Sequence, residues 1–171
     1  MDNITNELNK LNIYEVKKKD NYSMDDCRAV VGQFNISLED FLKEICKICN
    51  EKKWTKEANE IGSYIQLIKT GIKVNTTIGV DTFLKYVYPH WNYIKVRDEH
   101  TLLEFKYESI IDKKNIGIIF KYKKLWDDTG EENKEYMFQA LDYLCHLTEH
   151  YEDISYKLGH KKIRVKLLEK N

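Results

Sequence analysis

The stretch Gly130–Tyr151, GEENKEYMFQALDYLCHLTEHY, constrains the fold more than any other part of the chain. Tyr136, Phe138, Leu141, Tyr143, Leu144, Leu147 and Tyr151 return at mixed three- and four-residue steps, so their side chains share one broad apolar stripe. Glu135, Asp142 and Glu149 step by seven along the opposite, wet face. The spacing predicts a long core-forming helix over Glu131–Tyr151, against which the remaining elements must pack. No chemistry is visible in it.

The 171 residues, 42% of them hydrophobic, suffice for a single core, and one Pro with seven Gly leaves little material for linkers. One domain over residues 1–171 is the natural division. The 28 Lys and Arg offset the 28 Asp and Glu, so no global field announces nucleic acid, a membrane or an acidic substrate. Charge is segregated locally: Leu125–Asp153 is acidic apart from Lys134, and residues 157–171 form a basic tail with Glu169 as its one acid. Such a tail is expected to lie against its own acidic helix.

No apolar run approaches the length of a membrane span, and MDNITNELNK lacks the basic start and apolar core of a secretory signal. A cytoplasmic protein without membrane contact is expected. The glycosylation patterns at Asn3, Asn21, Asn35 and Asn75 then stay unmodified.

Ile4, Leu8, Leu11, Ile13 and Val16 predict a short helix within a mobile N-terminal segment, residues 1–22. Ser23 with Asp26 has the form of a capping box opening a brief helix over Asp25–Gln33, with Gly32 and Asn35 marking a stop. Ser37 with Asp40 then opens a second helix through Leu38, Phe41, Leu42, Ile45, Ile48 and Cys49. Thr55 caps a third, in which Ala58, Ile61, Tyr64, Ile65 and Ile68 trace one face and Gly71 ends the run. Asp81 begins a fourth, and Pro89 forces a kink or a fresh start before His90–Glu99, where Trp91, Ile94 and Val96 face the core.

Ile116, Ile118, Phe120 and Tyr122 alternate as in a strand, and so do Ile163, Val165 and Leu167 between Lys162, Arg164 and Lys166. The expected fold is therefore mainly α, a single-domain multi-helix bundle with at most a minor two-stranded β element. No internal repeat, heptad run or low-complexity block stands out.

Three segments in order, FLKYVYPHWNYIKVRDEH, KLW and ENKEYMFQALDYLCHL, span Phe83–Leu147. Their pattern resembles that of small uncharacterised helical proteins of nucleocytoplasmic large DNA viruses. There an Ile-x-x-basic-Asp segment like Ile94, Arg97 and Asp98 precedes a Trp like Trp126, and an Asn-Lys pair like Asn133-Lys134 opens an aromatic-x-x-Leu-x-x-Leu helix. Phe138 stands where a Trp is common and Ala140 where a Tyr is common. The resemblance implies a mainly helical viral protein of infected-cell cytoplasm and transfers no activity.

Cys46 and Cys49 on one helix, with His146 and His150 on another, have ligand spacing for a tetrahedral metal site. Buried cysteine is a common core residue, however, and the long gap between the pairs matches no compact zinc signature. No metal or other cofactor is expected. Arg97, Asp98, Glu99 and His100 combine acid, base and imidazole, but neighbours on a helix fan out around its axis and cannot converge on one substrate. Phosphate-loop, dinucleotide, zinc-protease and hydrolase-elbow motifs are absent from the sequence. Catalysis is therefore not expected.

If the two strands paired, Lys121, Lys123, Lys124, Lys161, Lys162, Arg164 and Lys166 would gather into one basic surface around aromatics, suited to phosphate and base contact. Twelve Tyr and three Trp favour a different class, because amphipathic aromatics anchor protein interfaces. The expectation is a non-enzymatic protein-interaction module, of the kind a viral accessory or virion-associated factor provides, binding another protein. An RNA- or DNA-binding regulator is the alternative.

Overall fold

The computed structural model describes residues 21–104, 125–160 and 167, the Glu104 side chain excepted. The helix expected over Ile4–Val16, both expected strands except Leu167, and the basic residues Lys121, Lys123, Lys124, Lys161, Lys162, Arg164 and Lys166 lie outside that set. Among the described residues all regular structure is helical, and the protein is a mainly α multi-helix bundle.

The first helix, α1, spans Met24–Glu51. It opens on the expected box: Ser23 Oγ accepts from Asp26 N at 3.1 Å, and Asp26 Oδ2 accepts from Ser23 N at 2.8 Å. The expected stop at Gly32 and Asn35 and the restart at Ser37 are not there; one helix of 28 residues, about 42 Å long, runs through all three. The reason is a stripe that the stop signals obscured. Cys27, Val31, Phe34, Leu38, Phe41, Ile45 and Ile48 alternate four- and three-residue steps without a break, a heptad pattern that pays its packing reward only if the helix is continuous. Asn35, instead of ending the helix, donates from Nδ2 to Thr76 O at 2.9 Å.

Helix α1 ends in a Schellman turn. Lys53 sits in the left-handed region at φ 61°, its N–H donating to Asn50 O, while Trp54 N donates to Cys49 O at 2.8 Å. The turn sends α2, Thr55–Val74, back along α1. Thr55 is the first helical residue and Trp54 holds the capping position without a side-chain bond, and the helix continues three residues beyond Gly71. Ala58, Ile61 and Ile65 face α1 and close a small second core with Cys49, beside Trp54 and Cys46. Tyr64, expected on this face, is exposed.

Helix α3 spans Ile78–Tyr86, followed by a 3-10 turn at Tyr88–His90 around Pro89 and by α4, Trp91–Lys95. The kink falls where proline removes a backbone donor. Helix does not continue to Glu99: a second Schellman turn intervenes, with Arg97 at φ 56° and Asp98 N donating to Tyr93 O at 3.0 Å. Trp91 and Ile94 are buried as expected, while Val96 is exposed. Helix α5, Glu99–Glu104, follows, and residues 125–129 are helical.

The last helix, α6, spans Glu131–Lys157 and is the central element. Phe138, Leu144, Leu147, Tyr151 and Ile154 enter the main core with Phe34, Val80, Trp91 and Ile94. Its end lies six residues beyond the expected Tyr151, where Gly159 at φ 75° closes a third Schellman turn. It runs antiparallel to α1: Tyr22 meets His150 edge-on at one end, and Asp40 and Glu44 bear on Tyr136 towards the other. Asp142, assigned to the wet face by its seven-residue step, instead accepts from Trp91 Nε1 at 2.6 Å. Tyr151 OH donates to Asp81 Oδ1 at 2.9 Å and ties α6 to α3. Among the described residues no helix is long and apolar enough to cross a membrane.

Candidate functional site

The Arg97–Glu99 turn, Trp126 and the start of α6 meet at one corner of the bundle. Arg97, held left-handed at the end of α4, reaches α6 and grips Glu135 with two bonds, Nε to Oε2 at 3.1 Å and Nη2 to Oε1 at 2.8 Å. Its guanidinium also lies 5.7 Å from the Phe138 ring centroid. The pairing holds the Glu135 carboxyl below and the Arg97 guanidinium above their ordinary values, chiefly through this side-chain hydrogen bonding. Asp98 caps α5, accepting from Thr101 N at 3.1 Å and Thr101 Oγ1 at 3.0 Å. Glu99 Oε2 accepts from Trp126 Nε1 at 3.0 Å and from Lys134 Nζ at 3.3 Å. Trp126 in turn meets Phe138 edge-on, with centroids 5.4 Å apart. Lys134 also pairs with Glu131, the largest influence raising its pKa, and Asn133 Nδ2 donates to Thr129 O at 2.9 Å.

Arg97, Asp98 and Glu99 therefore point three ways, to a helix, a cap and an indole, while His100 faces solvent. They act as a clamp between α4, α5 and α6. Beside the clamp lies an apolar cavity of about 270 Å³ whose walls include His90, Ile94, Leu102, Trp126, Phe138 and Leu141. His90 is buried, and desolvation lowers its pKa, so the imidazole is neutral at neutral pH. The periodic pattern placed Glu135 on the wet face, where it is indeed exposed, but its fixed partner Arg97, 38 residues away in sequence, left no local signal.

The two ligand-spaced pairs do not converge. Cys46 and Cys49 belong to the α1–α2 core near the C-terminal end of α1, where Cys46 Sγ lies 3.5 Å from Ala58 O. His150 packs on Tyr22 at the opposite end of that helix, roughly 35 Å away at 1.5 Å per residue. His146 lies edge-on to Trp91 at 4.7 Å. Among the described residues no group of three or more His, Cys, Asp and Glu is placed to hold a metal ion. Cys145 is fully buried, and desolvation pushes its thiol pKa up, which keeps it protonated.

A second feature escaped sequence reasoning altogether. Helix α2 turns one face to α1, yet a neighbouring stripe of Tyr64, Leu67 and Val74 stays 47%, 68% and 87% exposed. Tyr64, Leu67, Gly71 and Val74 step by three, four and three residues and so share one side of the helix. Ile78, at the start of α3, extends the stripe: its Cγ2 lies 3.6 Å from the point where a Cβ on Gly71 would sit. In a chain that is 33% charged, Ile61–Ile68 carries no charge at all. The signal was present as a second three-four period on α2, offset from the buried one. Comparison with protein-family models, with curated proteins and with solved structures returned no match.

Proposed function

We propose that this protein is a non-enzymatic protein-interaction module whose binding surface is the outer stripe of α2. The observation behind this reading is the continuous exposure of Tyr64, Leu67 and Val74 on a helix anchored along one face only. Isolated exposed apolar residues are ordinary, but a row of them at helical spacing, free of charge and next to a folded core, suits an interface. Tyr64 supplies a large amphipathic contact at low conformational cost. The occupant that fits is an amphipathic helix with its own apolar stripe, docked along α2.

The test is affinity capture from the native cell at moderate salt after nuclease treatment, with the unmodified protein and Leu67→Glu compared side by side. A defined protein retained by the first and lost by the second supports the reading. Salt-sensitive retention of RNA or DNA in a parallel capture without nuclease, with no protein that depends on Leu67 in the treated one, would overturn it in favour of a nucleic-acid regulator.

A further inference from the structure

We infer that the helix docked on this stripe is α2 of a second copy of the same chain, so that the protein pairs through an antiparallel, two-fold α2–α2 contact. The inference rests on the reading of the stripe as an interface and names its occupant.

The stripe is self-complementary in shape. With a two-fold axis set midway between positions 67 and 71, an antiparallel second α2 places Leu67 opposite Gly71 of the second copy and Tyr64 opposite Val74. Leu67 at the centre thus meets Gly71, twice, as a knob meets a hole whose wall on one side is the Ile78 side chain, 3.6 Å from the point where a Gly71 Cβ would sit. An isologous contact requires such a match between the two halves of the patch.

The stripe is also compatible with itself electrically. A patch of one charge repels its own copy, whereas Tyr64, Leu67, Gly71, Val74 and Ile78 are all uncharged and Lys69, within their span, turns to Glu39 of α1 at 3.0 Å. Two hydroxyls on its outer flank are already occupied within α2: Ser63 Oγ donates to Asn59 O at 3.0 Å, and Thr70 Oγ1 donates to Gln66 O at 2.9 Å. Covering them strands no donor.

The area is sufficient for a modest dimer. Tyr64, Leu67, Val74 and Ile78 leave roughly 400 Å² of side chain open on each copy, taking large side chains at ~150–250 Å². Two such cores with their polar rim reach about 1,200 Å², the lower end of specific interfaces. The pair should therefore dissociate on dilution, in roughly the micromolar range.

Sedimentation equilibrium of the full chain across a wide concentration range decides the matter, because monomer and dimer differ by the 20.5 kDa of one chain. The expected result is a reversible monomer–dimer equilibrium that Leu67→Glu weakens by about tenfold or more while the helical spectrum and melting point hold. Gly71→Lys, whose Cβ meets only the Ile78 side chain at 3.6 Å and 3.9 Å, should weaken it likewise. An equimolar mixture of the two variants should regain dimer, since one of the two central contacts becomes Glu against Lys and the other stays Leu against Gly. Val74→Lys, at a site 87% exposed, supplies an independent lesion should Leu67→Glu fail to fold. A protein that stays monomeric at several hundred micromolar, or a dimer that survives both Leu67→Glu and Val74→Lys, overturns the inference. A monomer that still captures a different protein through Leu67 would sink self-pairing and leave the interaction module standing.

Discussion

Replacing Gly32 by Ala separates a continuous α1 from a helix broken where the local sequence suggests. Gly32 lies in the interior of the 28-residue helix, and a Cβ added there meets no heavy atom within 4 Å beyond its immediate chain neighbours and the helix backbone. Alanine would therefore bring no clash. It would remove backbone freedom from the unfolded chain and regain helix propensity, a stabilisation of about 0.5–1 kcal/mol. For a domain of this size that corresponds to a rise in melting temperature of roughly 1–4 °C. Gly79→Ala is the contrasting case. Its Cβ would sit 3.1 Å from Asn35 Oδ1 with Phe34 and Leu38 behind it, so the same propensity gain meets a crowded α1–α3 contact and should be cancelled or reversed. Urea and thermal unfolding followed by circular dichroism measure both substitutions. If Gly32→Ala destabilised the protein by about 0.5 kcal/mol or more, position 32 would not be helical and the single long helix would be wrong.

Other expectations are equally direct. Leu144 is 1% exposed at the centre of α6, so Leu144→Ala should cost about 2–5 kcal/mol in chemical denaturation, and an unchanged midpoint would remove it from the core. Lys53→Gly should stabilise the protein by about 1 kcal/mol, because glycine adopts the left-handed conformation at φ 61° without the steric penalty a Cβ carries; a loss in the same measurement would show that the lysine contributes more than its backbone costs. Burial lowers the His90 pKa, so the unfolded chain binds the extra proton first as pH falls. Stability should thus decline from about pH 6.5 down to His90's own lower value, by at most about 1.4 kcal/mol per pH unit, and His90→Phe should flatten that decline; identical pH profiles for the two proteins would refute it. Elemental analysis should find no stoichiometric zinc, given the separation of Cys46 and Cys49 from His146 and His150; one zinc per chain, lost on joint Cys46→Ser and His150→Ala substitution, would contradict the placement of both pairs.

Local sequence determined the helical class, the long last helix, the Ser23 capping box and the break at Pro89, because each depends on periodicity, a nearby side chain or a missing donor within a few residues. It failed where tertiary packing outweighed a local preference. Gly32 and Asn35 read as a stop, but an unbroken stripe from Cys27 to Ile48, rewarded by contact with the neighbouring helices, carries α1 through them. Lys53 and Arg97 end helices in a conformation usually taken by glycine, so neither turn could be seen from composition; at Arg97 the bidentate grip on Glu135 offsets the backbone cost. The partners joined by Arg97–Glu135, Trp126–Glu99 and Trp91–Asp142 are 38, 27 and 51 residues apart, and no periodic pattern encodes such pairs. Nor could sequence decide which of the two apolar stripes on α2 would be covered. Both have helical spacing, and only the seating of α1 against Ala58, Ile61 and Ile65 leaves Tyr64, Leu67 and Val74 facing outward.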